Sequence, residues 1–129
     1  HYTFPEAEKL VLEALTPLGE AYCQTLQRGF EKDRWVDRFE NAQKRSGAYS
    51  SGCYDSFPYI LMNFQGTLRD VMTLAHEAGH SMHSYYSNQN QPYQYSHYPI
   101  FVAEVASTFN EELVFRRLLE KAKSKEERC

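Results

Sequence analysis

The sequence has 129 residues, of which 42% are hydrophobic and 24% charged, with a formal net charge of −3. This is the length and composition of one ordinary globular domain, too short for two, and the charge gives no reason to expect nucleic acid or an anionic membrane as partner. Three cysteines, Cys23, Cys53 and Cys129, form no CxxC pair and leave an odd thiol, which argues against a disulfide framework or a cysteine-built metal site and for a reducing, cytoplasmic setting. In chain order, residues 5–31 are expected to be helical. Pro5 suits a first helical turn, and Leu10, Ala14, Leu18, Tyr22 and Leu26 recur at helical spacing. Thr16-Pro17 reads as a fresh N-cap and first turn, giving two helices or one kinked helix. Residues 32–44, with Trp35, Val36 and Phe39 among charges, predict another short helix.

From Arg45 the texture changes. Ser46-Gly47-Ala48-Tyr49-Ser50-Ser51-Gly52 is too rich in glycine and serine for a stable helix. Phe57-Pro58-Tyr59-Ile60-Leu61-Met62-Asn63-Phe64 is strand-like, with Pro58 at its start, so residues 45–65 predict a β-hairpin or two irregular strands. Residues 68–87 predict the clearest helix. Thr67 and Asp70 resemble a capping box with Asp in the Glu place, and Leu68, Val71, Met72, Ala75, Ala78 and Met82 share one stripe. A polar, tyrosine-rich loop over 87–98 leads to a last helix from about Pro99 to Lys123.

The chemistry concentrates at His76-Glu77-Ala78-Gly79-His80. Two histidines four apart on a helix share one face with Cβ atoms about 5–6 Å apart, so their nitrogens can converge on one ion. Glu77 lies beside them, where a carboxylate reaches a water on the metal without itself being a ligand. A zinc ion lowers the pKa of its water to about 7, and the carboxylate takes the proton as that water attacks a carbonyl. A catalytic zinc wants three protein ligands and an open position, so one ligand remains to be found.

The last helix offers it. Ile100, Phe101, Thr108, Glu111, Phe115 and Leu118 project close to Glu104, which sets two acids on an otherwise mainly apolar face. Burying a carboxylate without a partner is costly, so Glu104 is read as third ligand and Glu111 as a group that orients a histidine, or as the partner of an arginine. His83, seven residues from His76, is either a packed histidine supporting the site or a further ligand. His97 reads as a loop residue. Tyr85, Tyr86, Tyr93, Tyr95 and Tyr98 are read as solvated tyrosines, or as donors to a substrate.

Thr73-Leu74-Ala75-His76-Glu77-Ala78-Gly79-His80-Ser81-Met82-His83-Ser84-Tyr85-Tyr86 resembles the active-site helix of the thimet-oligopeptidase family, and of its oligoendopeptidase F branch in particular. Phe101-Val102-Ala103-Glu104-Val105-Ala106-Ser107-Thr108-Phe109-Asn110-Glu111 is similar to that family's second motif, and Lys44–Ser50 and Pro58–Leu61 to the stretch before the helix. The resemblance implies that His76, His80 and Glu104 bind one Zn²⁺ and that Glu77 is general base and acid. It also implies that the strand near Gly47, Ala48 and Tyr49 lines a groove where an oligopeptide substrate lies extended, recognised by strand addition. The expected fold is mainly α with a small β-hairpin, a zincin-like core in which the HExxH helix packs on the ligand-bearing helix. Residues 1–129 would then be one partial catalytic domain: a helical segment over 1–44, a substrate-edge β region over 45–65, the HExxH helix over 67–87 and the third-ligand helix over 99–123. Family members are cytoplasmic and cleave short unfolded peptides, and the groups that stabilise the oxyanion lie beyond the second motif. The rival expectation is therefore a zinc-binding segment that is inactive without them.

Overall fold

The computed structural model describes residues 1–32, 35–37, 48–51, 59–90 and 100–126. Among the described residues there are four α-helices and a small sheet: α1 (Phe4–Ala14), α2 (Glu20–Glu31), β1 (Val36–Asp37), β2 (Ala48–Ser51), β3 (Tyr59–Met62), α3 (Leu68–Asn90) and α4 (Ile100–Glu126). The mainly α fold with a small β element matches the expectation.

Helix α1 starts at a reciprocal cap. The Thr3 hydroxyl accepts from the Glu6 amide at 3.3 Å, and the Thr3 amide donates to the Glu6 carboxylate at 2.7 Å. The break near Thr16-Pro17 separates two helices rather than kinking one. Thr16 does not cap the second helix, however: its hydroxyl turns back to donate to the Glu13 carbonyl at 2.8 Å. Thr16–Leu18 form a short 3₁₀ turn, and Gly19, at φ 105°, reverses the chain into α2.

The helix expected over 32–44 gives way to a strand where that stretch is described. Trp35 is almost wholly buried against Gly29, and its amide donates to the Gly29 carbonyl at 2.9 Å. That contact ends the helical path and delivers Val36–Asp37 as a strand parallel to β3, with Val36 opposite Ile60. On the other side of β3 lies β2, antiparallel, with Ala48 opposite Met62 and Ser51 opposite Tyr59. The expected hairpin strands are thus present, with a third, parallel strand added, and β2 lies at one edge of the three.

Helix α3 runs through the core. The Thr67 hydroxyl accepts from the Asp70 amide, and the Asp70 carboxylate accepts from the Thr67 amide, both at 3.1 Å, so Asp replaces Glu in the predicted capping box. Val71, Leu74, Ala75, Ala78 and Met82 are buried with Leu10, Val11 and Ala14 of α1 and Val114 of α4. Leu68, the first residue of the predicted stripe, is instead exposed at the helix start. The helix continues to Asn90, three residues past its expected end at Ser87. Tyr85 and Tyr86 are therefore helical, and their rings pack on Trp35 and Tyr22 rather than standing in solvent. Tyr93, Tyr95, His97 and Tyr98 lie outside the described residues, as does Gly47.

Candidate metal centre

The central contact of the molecule is α3 against α4, and it closes at Gly79. A Cβ on Gly79 would stand 2.7 Å from the Ser107 Cα and 3.0 Å from the Ala106 carbonyl oxygen. Any side chain there would push the two backbones apart. Because Gly79 immediately precedes His80, the notch brings α4 close at the level of the histidines.

His76 and His80 present their Nε2 atoms to each other at 3.0 Å. From α4, Glu104 Oε1 lies 3.4 Å from His80 Nε2, and Glu104 Oε2 lies 3.6 Å from His76 Nε2. Two turns further along α4, the Glu111 carboxylate contacts His76 Nδ1. A carboxylate accepts, so Nδ1–H of His76 is the donor in this contact, and Nε2 is the nitrogen that faces His80 and Glu104. Glu77, 8% exposed, is buried on the same turn.

Two imidazole nitrogens and a carboxylate, all within 4.8 Å of one another, form a donor set suited to a divalent metal. Tetrahedral donors held ~2.0–2.1 Å from one ion stand ~3.3–3.4 Å apart. The two Nε2 atoms stand 3.0 Å apart and each faces its own Glu104 oxygen, at 3.4 and 3.6 Å, so the donors converge on one point to within the adjustment of a carboxylate. Burial, and after it the nearby His76, hold His80 below the ordinary imidazole pKa, while Glu104 pulls the other way. The net shift favours the neutral form that a ligand needs.

The structure brings His76, His80, Glu104 and Glu111 together, but the reason given for the acids needs correction. Glu104 is 49% exposed, and Thr108 and Phe115 of the expected apolar face are exposed as well. The buried face of α4 carries Ser107, Asn110 and Val114 instead. Glu104 reaches the histidines from the rim of the helix contact, where the Ser107 and Thr108 hydroxyls both donate to its backbone carbonyl, at 3.1 and 2.6 Å. His83 stands outside the trio and lines a cleft of about 440 Å³ with Tyr22, Tyr86 and Phe109; burial lowers its pKa. Ala48 and Tyr49 lie on the edge strand β2, which packs near α3.

The sequence reading overlooked Gly79 and Asn110. A glycine inside a helix costs roughly 1 kcal/mol against alanine, so its presence between two histidines was itself a signal of close approach.

Residues 5–128 match the family model described as Peptidase family M3. The chain belongs to that family. It is 52% identical to oligopeptidase PepF of Bacillus subtilis over 98% of this chain and 19% of that protein. It is 47% identical to the chromosomal oligoendopeptidase F of Lactococcus lactis subsp. cremoris, over 98% of this chain and 21% of that one. A crystal structure of a candidate peptidase from Chlamydophila abortus superposes with a TM-score of 0.89 at 56% identity, covering 93% of this chain and 20% of that chain. The chain thus spans about a fifth of the length of these relatives. Among the described residues no helix is long and apolar enough to cross a membrane.

Proposed function

We propose that this chain is the catalytic core of a zinc metalloendopeptidase that cleaves short unstructured peptides. The observation that carries the reading is the convergence of His76, His80 and Glu104, with Glu77 buried on the same helical turn. Membership of a peptidase family supports the reaction class. His76, His80 and Glu104 would hold the ion, and Glu111 would orient His76 through its Nδ1 proton. When bound, zinc supplies Lewis acidity that polarises a carbonyl and lowers the pKa of water.

Glu77 takes a proton from the attacking water as the new C–O bond forms. It then delivers that proton to the amide nitrogen as the C–N bond breaks, and the second proton of the water passes to the same nitrogen, so the products are a carboxylate and a protonated amine. The edge strand β2, beside α3, would offer the backbone of Ala48 and Tyr49 to an extended peptide, and Gly47 is proposed for the same role from the sequence alone. A cytoplasmic setting is part of the same proposal, supported by the free, half-buried thiol of Cys23.

Glu77→Gln in the full-length protein is the test. Peptide hydrolysis should fall about 10²–10⁴-fold, the usual share of a general acid–base, while bound metal stays at one per chain. Unchanged hydrolysis would overturn the role of Glu77. A wild-type protein that binds metal but hydrolyses no peptide would favour the rival reading, a zinc-binding segment without catalysis.

A further inference from the structure

Asn110 precedes Glu111 on α4 and is 2% exposed, although its side chain is polar throughout. A buried amide left without partners would be costly. It has two. Its Nδ2 donates to the Ala75 carbonyl at 3.2 Å and to the Tyr22 hydroxyl at 3.3 Å. Ala75 immediately precedes His76, so the amide of α4 grips the backbone of α3 at the turn that bears the first histidine. The space for that grip is the Gly79 notch: a Cβ on Gly79 would stand 3.0 Å from the Asn110 Nδ2.

Three elements therefore meet at one amide: α2 through Tyr22, α3 through Ala75, and α4 through Asn110 itself. The contact is directional, whereas the surrounding packing is not. Apolar surfaces tolerate sliding along a helix axis; a hydrogen bond to one particular carbonyl does not. Sliding α4 by one residue would move Glu104 and Glu111 by about 1.5 Å, enough to take both carboxylates out of reach of their histidines.

We propose that Asn110 is a positioning residue, which fixes the register of α4 on α3 and so presents Glu104 and Glu111 to His76 and His80. This rests on the reading of that trio as a metal site. Tyr22 holds the amide in the orientation that aims Nδ2 at the Ala75 carbonyl, and Gly79 admits it.

The test is a titration of full-length, metal-free protein with Co²⁺ alone, followed by the visible absorption of the ion, beside circular dichroism of the metal-free protein. Asn110→Leu keeps the volume and removes the donor. Co²⁺ affinity is expected to fall about 10–100-fold, as for loss of groups that orient ligands, with an altered absorption spectrum and unchanged helix content. Tyr22→Phe, which removes one hydroxyl from a partly buried ring, is expected to lower affinity in the same direction by a smaller factor and keeps the question answerable if the leucine variant does not fold. Wild-type affinity and spectrum in both variants would overturn the proposal, as would a loss that appears only with a loss of helix. A wild-type protein that takes up no Co²⁺ would overturn the metal-site reading itself, an outcome separate from the other two because it appears before any substitution is made.

Discussion

Helices α3 and α4 meet along one line, yet they are built in opposite ways. Helix α3 buries an apolar side, Val71, Leu74, Ala75, Ala78 and Met82, with Glu77, Ser81 and Ser84 buried beside it. Helix α4 turns Ser107, Asn110 and Val114 inward and leaves Val105, Phe109, Phe115 and Leu119 exposed. The first helix is held by apolar burial, the second by close backbone approach and directed hydrogen bonds. The difference teaches where the carboxylates come from. A helix seated by large apolar side chains would stand farther off, since interaxial distance follows the side chains at the contact. The small inner residues of α4 let Glu104 and Glu111 reach His76 and His80 from the edge of the interface.

The contrast is broken most directly by truncation on each side. Leu74→Ala on α3 should cost about 2–5 kcal/mol, the usual range for a fully buried leucine. Phe115→Ala on α4, at a site 51% exposed, should change stability by no more than about 0.5 kcal/mol. Urea denaturation compares the two, and equal losses would mean that the outer side of α4 is part of the core. Gly79→Ala comes next. Alanine favours the helix by about 1 kcal/mol, but overpacking costs about 1–3 kcal/mol. The nearest atom to the new methyl is backbone, the Ser107 Cα, which cannot rotate away. The clash should win, giving a net loss of up to about 2 kcal/mol and weaker Co²⁺ binding; a stabilised variant with intact binding would show that the notch is dispensable.

This asymmetry also explains what the sequence disclosed. The α3 helix, its Thr67–Asp70 cap and its two histidines follow from local pattern, because apolar periodicity and capping are short-range signals. Glu104 and Glu111 were visible as acids seven apart on a helix, at the spacing that aligns them. The face of α4 differs from expectation because the side bearing Glu104, Thr108 and Phe115 is turned outward, and nothing local in those residues states so. Asn110 has no periodic signature, since its partners Ala75 and Tyr22 lie 35 and 88 positions away in the chain. Strand β1 was read as helix for a similar reason. Its conformation is imposed by Trp35 packing on Gly29 and by pairing with β3, contacts that two residues cannot encode.

Titration sharpens the comparison, because a displaced pKa lies on α3 and another on the α2 tyrosine that contacts Asn110 of α4. His80 of α3 is depressed in the metal-free protein, first by burial and then by His76. The unfolded chain therefore binds that proton more readily. The contribution is fully present above about pH 6.5 and is lost as the pH falls through the lower folded value. Tyr22, which contacts Asn110 of α4, is pushed up to about 12, chiefly by burial. Here the contribution is present below about pH 10 and is lost as the pH rises towards the folded value. Melting temperatures of metal-free protein should fall at both ends, and Tyr22→Phe should flatten the alkaline limb alone. An acid limb unchanged in His80→Ala would remove His80 as its source.

The smallest effect belongs to the far end of α4, beyond the Asn110 contact, where Leu118 is only partly buried against the core. There Lys121 Nζ lies 3.1 Å from Glu13 Oε2 of α1, with Arg117 at 3.8 Å. The hydrogen bond from Lys121 is the main reason the Glu13 carboxyl lies below its usual pKa. The pair is open to solvent, where such bridges contribute about 0.2–1 kcal/mol and are screened by salt. Lys121→Ala should therefore lower stability within that range, and the loss should shrink in 1 M salt. A loss well beyond it, unchanged by salt, would mean that α4 is seated on α1 by its far end. The register at Glu104 would then be set by Lys121 as much as by Asn110, and the division between a helix held by burial and a helix held by directed contacts would have to include charge.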